Sequence, residues 1–225
     1  MTDNSRILDL IESPADLKKL SVEELELLAL EIREEIVNTT SRTGGHVSSS
    51  LGAVEIILSI HSLINTPKDK LIFDVGHQAY AHKILTGRRE AFKTLRQFGG
   101  ISGFTKPDES KYDVHNSGHA ADSLSIALGL AKAKKLKGTN EKIVAVIGDA
   151  SIAGGMAFEA INNIGHEHLP IVIVLNDNRM SISESVGGVG RHLRQIRLHP
   201  QYSDARDAIK YGLMRLGSVG DFALR

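Results

Sequence analysis

Two five-residue runs decide most of what this chain can become: Ile143-Val144-Ala145-Val146-Ile147 and Ile171-Val172-Ile173-Val174-Leu175. A strand that is apolar at every position has no face to give to water, so both of its faces must be covered. Between the two runs, Ile152 to Ile164 carries apolar residues at helical spacing. Strand, helix and strand in that order predict a right-handed crossover within a parallel sheet. A shorter run, Leu71-Ile72-Phe73, leads into Asp74-Val75-Gly76-His77 and supplies a third strand. The fold class that follows is α/β, an open, mostly parallel sheet with helices on both faces. Its strands are expected near 71–75, 142–148 and 171–176.

Helices complete the outline. Ser21-Val22-Glu23-Glu24 has the pattern of a capping box and opens a helix to about Thr40, with a broad apolar face of Leu25, Leu27, Leu28, Leu30, Ile32 and Ile36. Thr43-Gly44-Gly45-His46 breaks it, and a second helix is expected from Ser48–Ser50, as hydroxyl caps, through Leu63. Helical spacing recurs over 80–85, 89–98, 120–135 and 204–216. The stretch 99–118, with its Gly, Pro, Ser and Asp, is expected as a surface loop. The expected organisation is one domain over 1–225 with an N-terminal helical segment of about 1–65.

Composition closes off several classes. Lys plus Arg and Asp plus Glu number 27 each, so nothing favours nucleic acid. No apolar run is long enough for a transmembrane helix, and the acidic N-terminal stretch is unlike a signal peptide. The absence of cysteine excludes disulfides, thiolate metal sites and thiol nucleophiles. A cytoplasmic location is expected.

In open parallel sheets, ligands sit beyond the carboxyl ends of the strands. All three runs end in polar clusters: Gly76-His77, Gly148-Asp149-Ala150-Ser151 and Asn176-Asp177-Asn178. Asp149 and Asn178 lie twenty-nine positions apart across one crossover, which places two parallel strand ends side by side. A carboxylate and an amide oxygen are hard ligands suited to Mg²⁺. The Ala150 and Ser151 amides, opening the next helix, offer an anion site. Each cluster alone reads as a helix cap or a polar turn. Together they point to a diphosphate held through a metal. No Gly-x-Gly-x-x-Gly follows a strand and no P-loop is present.

Histidine is the other signal. His46 and His77 follow glycines in loops where a ligand could approach, and they could shuttle protons near neutral pH. His61 and His82 lie on helical segments and read as structural. His115 and His119 have zinc-like spacing, but Asn116-Ser117-Gly118 between them argues against a continuous helix.

These residues resemble a known family. Gly148-Asp149 through Asn176-Asp177-Asn178 is similar to the metal motif of thiamine-diphosphate enzymes. Asp74-Val75-Gly76-His77-Gln78-Ala79-Tyr80, followed by His82-Lys83-Ile84-Leu85-Thr86-Gly87-Arg88, resembles 1-deoxy-D-xylulose-5-phosphate synthases more narrowly than transketolases. Gly45-His46, Ser117-Gly118-His119, Gly155 to Ala160 and Met180 to Ser183 extend the match from about Val22 to beyond His192.

The resemblance implies a thiamine-diphosphate-binding fold and the condensation of pyruvate with glyceraldehyde 3-phosphate to 1-deoxy-D-xylulose 5-phosphate and CO₂. It implies that Asp149, Asn178 and the Met180 carbonyl hold Mg²⁺. His77, Gly118, His119, Ala120, Ala150 and Ser151 would contact the cofactor, and His46 would handle protons at the reacting carbon. Two departures stand out. Ala150 replaces the usual second glycine of Gly-Asp-Gly, and Ala120 stands where many relatives have Ser. The family continues into a pyrimidine-binding domain and a further C-terminal domain, which are not expected within these residues. The corresponding expectations are a homodimer or a partner chain that supplies the pyrimidine site, and no turnover by this portion alone. Two further readings stay open, the N-terminal subunit of a split transketolase and a non-catalytic diphosphate-binding module.

Overall fold

In a computed structural model, residues 6–176 and the single position 188 are described. Three parallel strands form the sheet: β1 (Lys70–Phe73), β2 (Ile143–Gly148) and β3 (Ile171–Asn176), in spatial order β1-β2-β3. Phe73 pairs with Val146, and Gly148 pairs with Asn176. Helices α1 (Val22–Thr43), α2 (Val47–Leu51), α3 (Val54–Leu63), α4 (Tyr80–Lys83) and α5 (Arg89–Phe92) precede β2, together with α6 (Ser123–Lys137). A short α7 (Asp149–Ile152) and α8 (Gly155–His166) then lead into β3.

The strand pleat sorts the core into two layers. Leu71, Phe73, Val144 and Val146 face α1, α3 and α4, where Leu28, Ile32, Ile36, Ile57 and Tyr80 are buried. Ile72, Ile143, Ala145 and Ile147 face α6 and α8, where Leu124, Ala127, Ala157 and Ala160 are buried. Helices therefore cover both faces of β1 and β2, as their unbroken apolar runs require. β3 departs from the expectation. Among the described residues it pairs with β2 alone, and Val172 is 57 % exposed.

Local signals held where local chemistry sufficed. Ser21 Oγ accepts from the Glu24 amide, and the Glu24 carboxylate accepts from the Ser21 amide at 2.7 Å, closing the capping box. α1 runs on to Thr43, stopping at Gly44, but its buried face is narrower than expected: Leu25, Leu28, Ile32 and Ile36 are buried, whereas Leu27 and Leu30 are exposed. Elsewhere the third dimension intervened. The expected helix over 48–63 is split at Gly52-Ala53, and the hydroxyls expected as caps point away. Ser49 and Ser50 donate to the His77 carbonyl at 3.3 and 2.9 Å instead. Helix 89–98 ends at Phe92, and Arg96 takes a left-handed φ of 61° before Gly99-Gly100.

Two further corrections bear on the site. α6 begins at Ser123 rather than Ala120, because the Asp74 carboxylate captures the Ala121 amide (3.0 Å), the Ser123 amide (3.3 Å) and the Ser123 hydroxyl (2.7 Å). Ala121 is held at φ 73° there, a conformation that costs an L-residue about 1 kcal/mol. Segment 99–118 lacks helix and strand, as expected, but is not merely surface. Gly103, Thr105 and Asp113 are buried.

Candidate functional site

The carboxyl ends of the strands meet in one place, and the segment after the long loop ties them together. Beyond β1, the Val75 amide donates to the His119 carbonyl at 3.2 Å. Gly76 has φ 80°, and a Cβ there would collide with Ser117 Oγ, so only glycine fits. Ser117 Oγ accepts from the Thr105 amide (3.0 Å) and bonds the Thr105 hydroxyl (2.8 Å). At the other end of this segment, Ala121 packs on the α7–α8 turn, where a Cβ on Gly154 would lie 2.6 Å from the Ala121 Cβ. Residues 117–121 thus bridge the ends of β1 and β2.

His77, Gly118, His119, Ala120, Asp149, Ala150 and Ser151 are brought together by this arrangement. Gly118, His119, Ala120 and Ala150 are exposed, and His77, Asp149 and Ser151 are half-buried. The expectation of one helix starting near Ile152 is corrected. A four-residue turn starts at Asp149 directly from β2, and α8 restarts at Gly155 after Gly154. Asp149, Ala150 and Ser151 therefore occupy the first positions of α7, where backbone amides point toward the helix start. Ala150 is helical there, so its methyl group does not block the amide-presenting backbone. Asn178 and Met180 lie outside the described residues. The pairing of Gly148 with Asn176 still sets the end of β3 beside the residue that precedes Asp149.

His46 joins from the other core layer. It precedes α2, and its amide donates to Tyr80 Oη at 3.1 Å. Gly45 makes room for this contact, since a Cβ there would lie 2.6 Å from Tyr80 Oη. The His46 ring meets His77 edge-on with centroids 5.8 Å apart, and Phe104 packs against it at 5.6 Å. Burial, and then the Arg96 charge, hold the His46 pKa below its ordinary value. Burial and the neighbouring His46 lower that of His77, against an opposing pull from Asp74. Both rings are consequently neutral at neutral pH and able to accept a proton.

Their Nδ1 atoms are buried without a hydrogen-bond partner. Such orphans are costly inside a protein and call for a ligand or water. Both ring nitrogens of His115 and Oδ1 of Asp122 are orphaned as well, with His115 Nε2 and Asp122 Oδ1 4.0 Å apart. Burial lowers the His115 pKa and raises that of Asp122. No helix places His115 and His119 on one face.

Sequence reading missed Tyr80, Phe104, Asp74 and Ser117 as site-builders. Tyr80 and Asp74 lie within a motif it had marked, and Phe104 carried no signal. Among the described residues, no group of three or more His, Asp or Glu side chains could hold a metal. No helix among them is long and apolar enough to cross a membrane.

An open parallel sheet with helices packed on it defines an α/β domain, a class in which ligands sit beyond the carboxyl ends of the strands. The family model described as 1-deoxy-D-xylulose-5-phosphate synthase matches residues 8–222. A protein of that name from Syntrophomonas wolfei is 51 % identical over 214 residues, covering 95 % of this chain and 34 % of its own length. Its namesake from Dehalococcoides mccartyi (strain BAV1) is 53 % identical over 202 residues, covering 90 % of this chain and 32 % of its own. That from Clostridium kluyveri is 50 % identical over 214 residues. The chain belongs to the 1-deoxy-D-xylulose-5-phosphate synthase family, and it spans about a third of the length of the curated relatives it matches.

Proposed function

We propose that this chain is the diphosphate-holding part of a 1-deoxy-D-xylulose-5-phosphate synthase. It would take thiamine diphosphate with Mg²⁺ and serve the condensation of pyruvate with glyceraldehyde 3-phosphate. The observation that carries this reading is the gathering of His77, residues 118–120 and the α7 amides at one end of the sheet, with His46 edge-on to His77. The residues fit such a group: the buried Nδ1 atoms of His46 and His77 have no partner in the protein, and first-turn amides suit an anion.

Asp149, Asn178 and the Met180 carbonyl would hold Mg²⁺, which would otherwise lack a cluster of acidic ligands. Ala150, Ser151, His77 and the 118–120 segment would contact the cofactor. Thiamine diphosphate supplies an electron sink for decarboxylating a 2-oxo acid. On the protein side, a neutral His46 ring can take and return a proton. Phe104 fixes one side of that ring, and the bond from its amide to Tyr80 fixes the backbone. A pyrimidine-binding domain, on the same polypeptide or a partner chain, would complete the site.

Titration calorimetry with thiamine diphosphate, with and without Mg²⁺, tests the reading. Wild type is expected to bind in a Mg²⁺-dependent manner and Asp149→Ala not detectably, because the diphosphate would lose its bridging cation. Asn178→Ala should weaken binding less, since an amide oxygen carries no full charge. Unchanged affinity in a folded Asp149→Ala variant would overturn the proposal, as would the absence of Mg²⁺-dependent binding by wild type.

A further inference from the structure

The run His82-Lys83-Ile84-Leu85-Thr86-Gly87-Arg88 identified the family most narrowly, yet none of its side chains lies among the residues gathered at the strand ends. Its cations turn inward, onto two carboxylates of the 99–118 segment. Arg88 grips Asp113 with both Nη atoms, at 2.7 and 2.8 Å, and His82 Nε2 meets Asp113 Oδ1 at 2.9 Å. Asp113 also accepts from the Lys106 amide at 2.6 Å. Lys83 Nζ meets Glu109 at 2.6 Å, and Glu109 accepts from the Ser102 amide, also at 2.6 Å. The side chains of His82, Lys83 and Asp113 are wholly buried.

We propose that Asp113, with Arg88 and His82, is a positioning residue: this buried cluster sets the wall formed by residues 101–118, and so holds Phe104 against His46 and Ser117 against Gly76. The geometry of both ends of the wall supports it. The amides of Ser102 and Lys106, which the two carboxylates capture, flank Phe104 on either side. Ser117 lies four residues beyond Asp113 and is tied back to Thr105.

His61 and His82 also have only one proton arrangement that satisfies all their ring nitrogens. Arg88 and the His82 contact keep Asp113 ionised, against the opposing effect of burial, so its oxygens can only accept. His82 Nε2 must then donate. Burial lowers the His82 pKa, so the ring is neutral and its Nδ1 is an acceptor. That nitrogen lies 2.9 Å from His61 Nε2, with the two rings within 9° of parallel, so His61 Nε2 donates in turn. The His61 pKa is well below its ordinary value through burial, leaving its Nδ1 to accept from the Thr66 hydroxyl at 3.3 Å. Both histidines are thus neutral Nε2–H tautomers. Two carboxylates, Asp113 and Glu109, face two basic side chains, Arg88 and Lys83. Both ring nitrogens of each histidine and both Asp113 oxygens are thereby bonded, which favours one geometry, while Arg88 Nε has no partner.

What the wall serves rests on the cofactor-site reading above, but the wall itself does not. Asp113→Asn in the 225-residue chain is the test, read by hydrogen exchange and by histidine ¹⁵N and ring-proton NMR. Amides of 102–106 are expected to exchange at least ~10-fold faster while those of β2 keep their protection, because only the wall is released. The His46 ring signals should shift as Phe104 leaves, and His82 should lose its Nε2–H tautomer signature. A folded variant with unchanged wall exchange and unchanged His46 signals would overturn the proposal, as would a wild-type spectrum showing either inner histidine charged or Nδ1-protonated. If Asp113→Asn does not fold, Arg88→Lys keeps the charge, gives up the two-pronged grip and decides by the same readouts. Thiamine diphosphate binding by wild type is measured alongside. Its absence would defeat the cofactor reading and leave the wall measurements standing.

Discussion

Two pairs of histidines, each in ring contact, stand on opposite terms with their surroundings. In the inner pair, His61 and His82, every ring nitrogen has a partner: Thr66, each other and Asp113. In the outer pair, His46 and His77, each Nδ1 is buried and partnerless. Burial alone therefore does not separate a structural imidazole from one poised for chemistry. Completeness of hydrogen bonding does, because a buried polar atom without a partner is tolerated chiefly where something else is meant to bind. The inner pair stabilises the fold, and the outer pair is paid for by it.

The sharpest way to break this contrast is to unbalance the inner network. Arg88→Met leaves the Asp113 carboxylate buried without its cation, and the expected loss is about 3–5 kcal/mol in urea unfolding. A loss below about 1 kcal/mol would remove the distinction between the pairs.

His61→Leu is milder. It strands one acceptor, His82 Nδ1, and should cost about 1–3 kcal/mol. Acid gives the same comparison a second axis. An unfolded histidine takes up its proton near pH ~6.5, whereas folded His61 and His82 resist it, so the unfolded state binds more protons. Stability from these groups is present above that pH and is lost as pH falls towards their depressed folded values. His46, His77 and His115 are shifted in the same direction and add to it. The denaturant midpoint should fall from pH 7.5 to pH 5, and the fall should be shallower in His61→Leu. An equal fall in both proteins would show that His61 is not held neutral.

The smallest expected effect falls on the outer pair. His46→Ala and His77→Gln should each cost less stability than His61→Leu, because neither ring's orphaned Nδ1 has a protein bond to lose. In calorimetry, His77→Gln should weaken Mg²⁺-dependent thiamine diphosphate binding, while His46→Ala leaves it nearly unchanged. A large loss of stability in either variant would place the outer pair in the same class as the inner one.

Much of this architecture was legible in residue order. The apolar run 143–147 announced a parallel strand covered on both faces, and Ser21 with Glu24 announced the start of α1, because pleat and cap are decided by neighbours a few residues away; run 171–175 announced β3 but not the exposure of Val172. The start of α6 was not legible. It depends on Asp74, 47 and 49 positions before the Ala121 and Ser123 amides it captures. Segment 99–118 misled for a similar reason. Its polar composition suggested solvent, but Asp113 and Glu109 find their partners on α4 and at Arg88. Phe104 gave no warning, since an aromatic residue in a loop has no periodicity to betray its destination.

By itself, then, the sequence determined the sheet, its polarity, the polar clusters at the strand ends and the family. These follow from chemistry that repeats along the chain or sits in contiguous motifs. Only the tertiary structure decided which histidines are satisfied and which are left open. It also decided that the His82-to-Arg88 run turns onto Asp113 and Glu109 rather than toward the strand ends, and that residues 117–121 join the ends of β1 and β2. Those outcomes depend on pairings between segments distant in sequence, where burial makes each hydrogen bond obligatory but residue order does not reveal the partner.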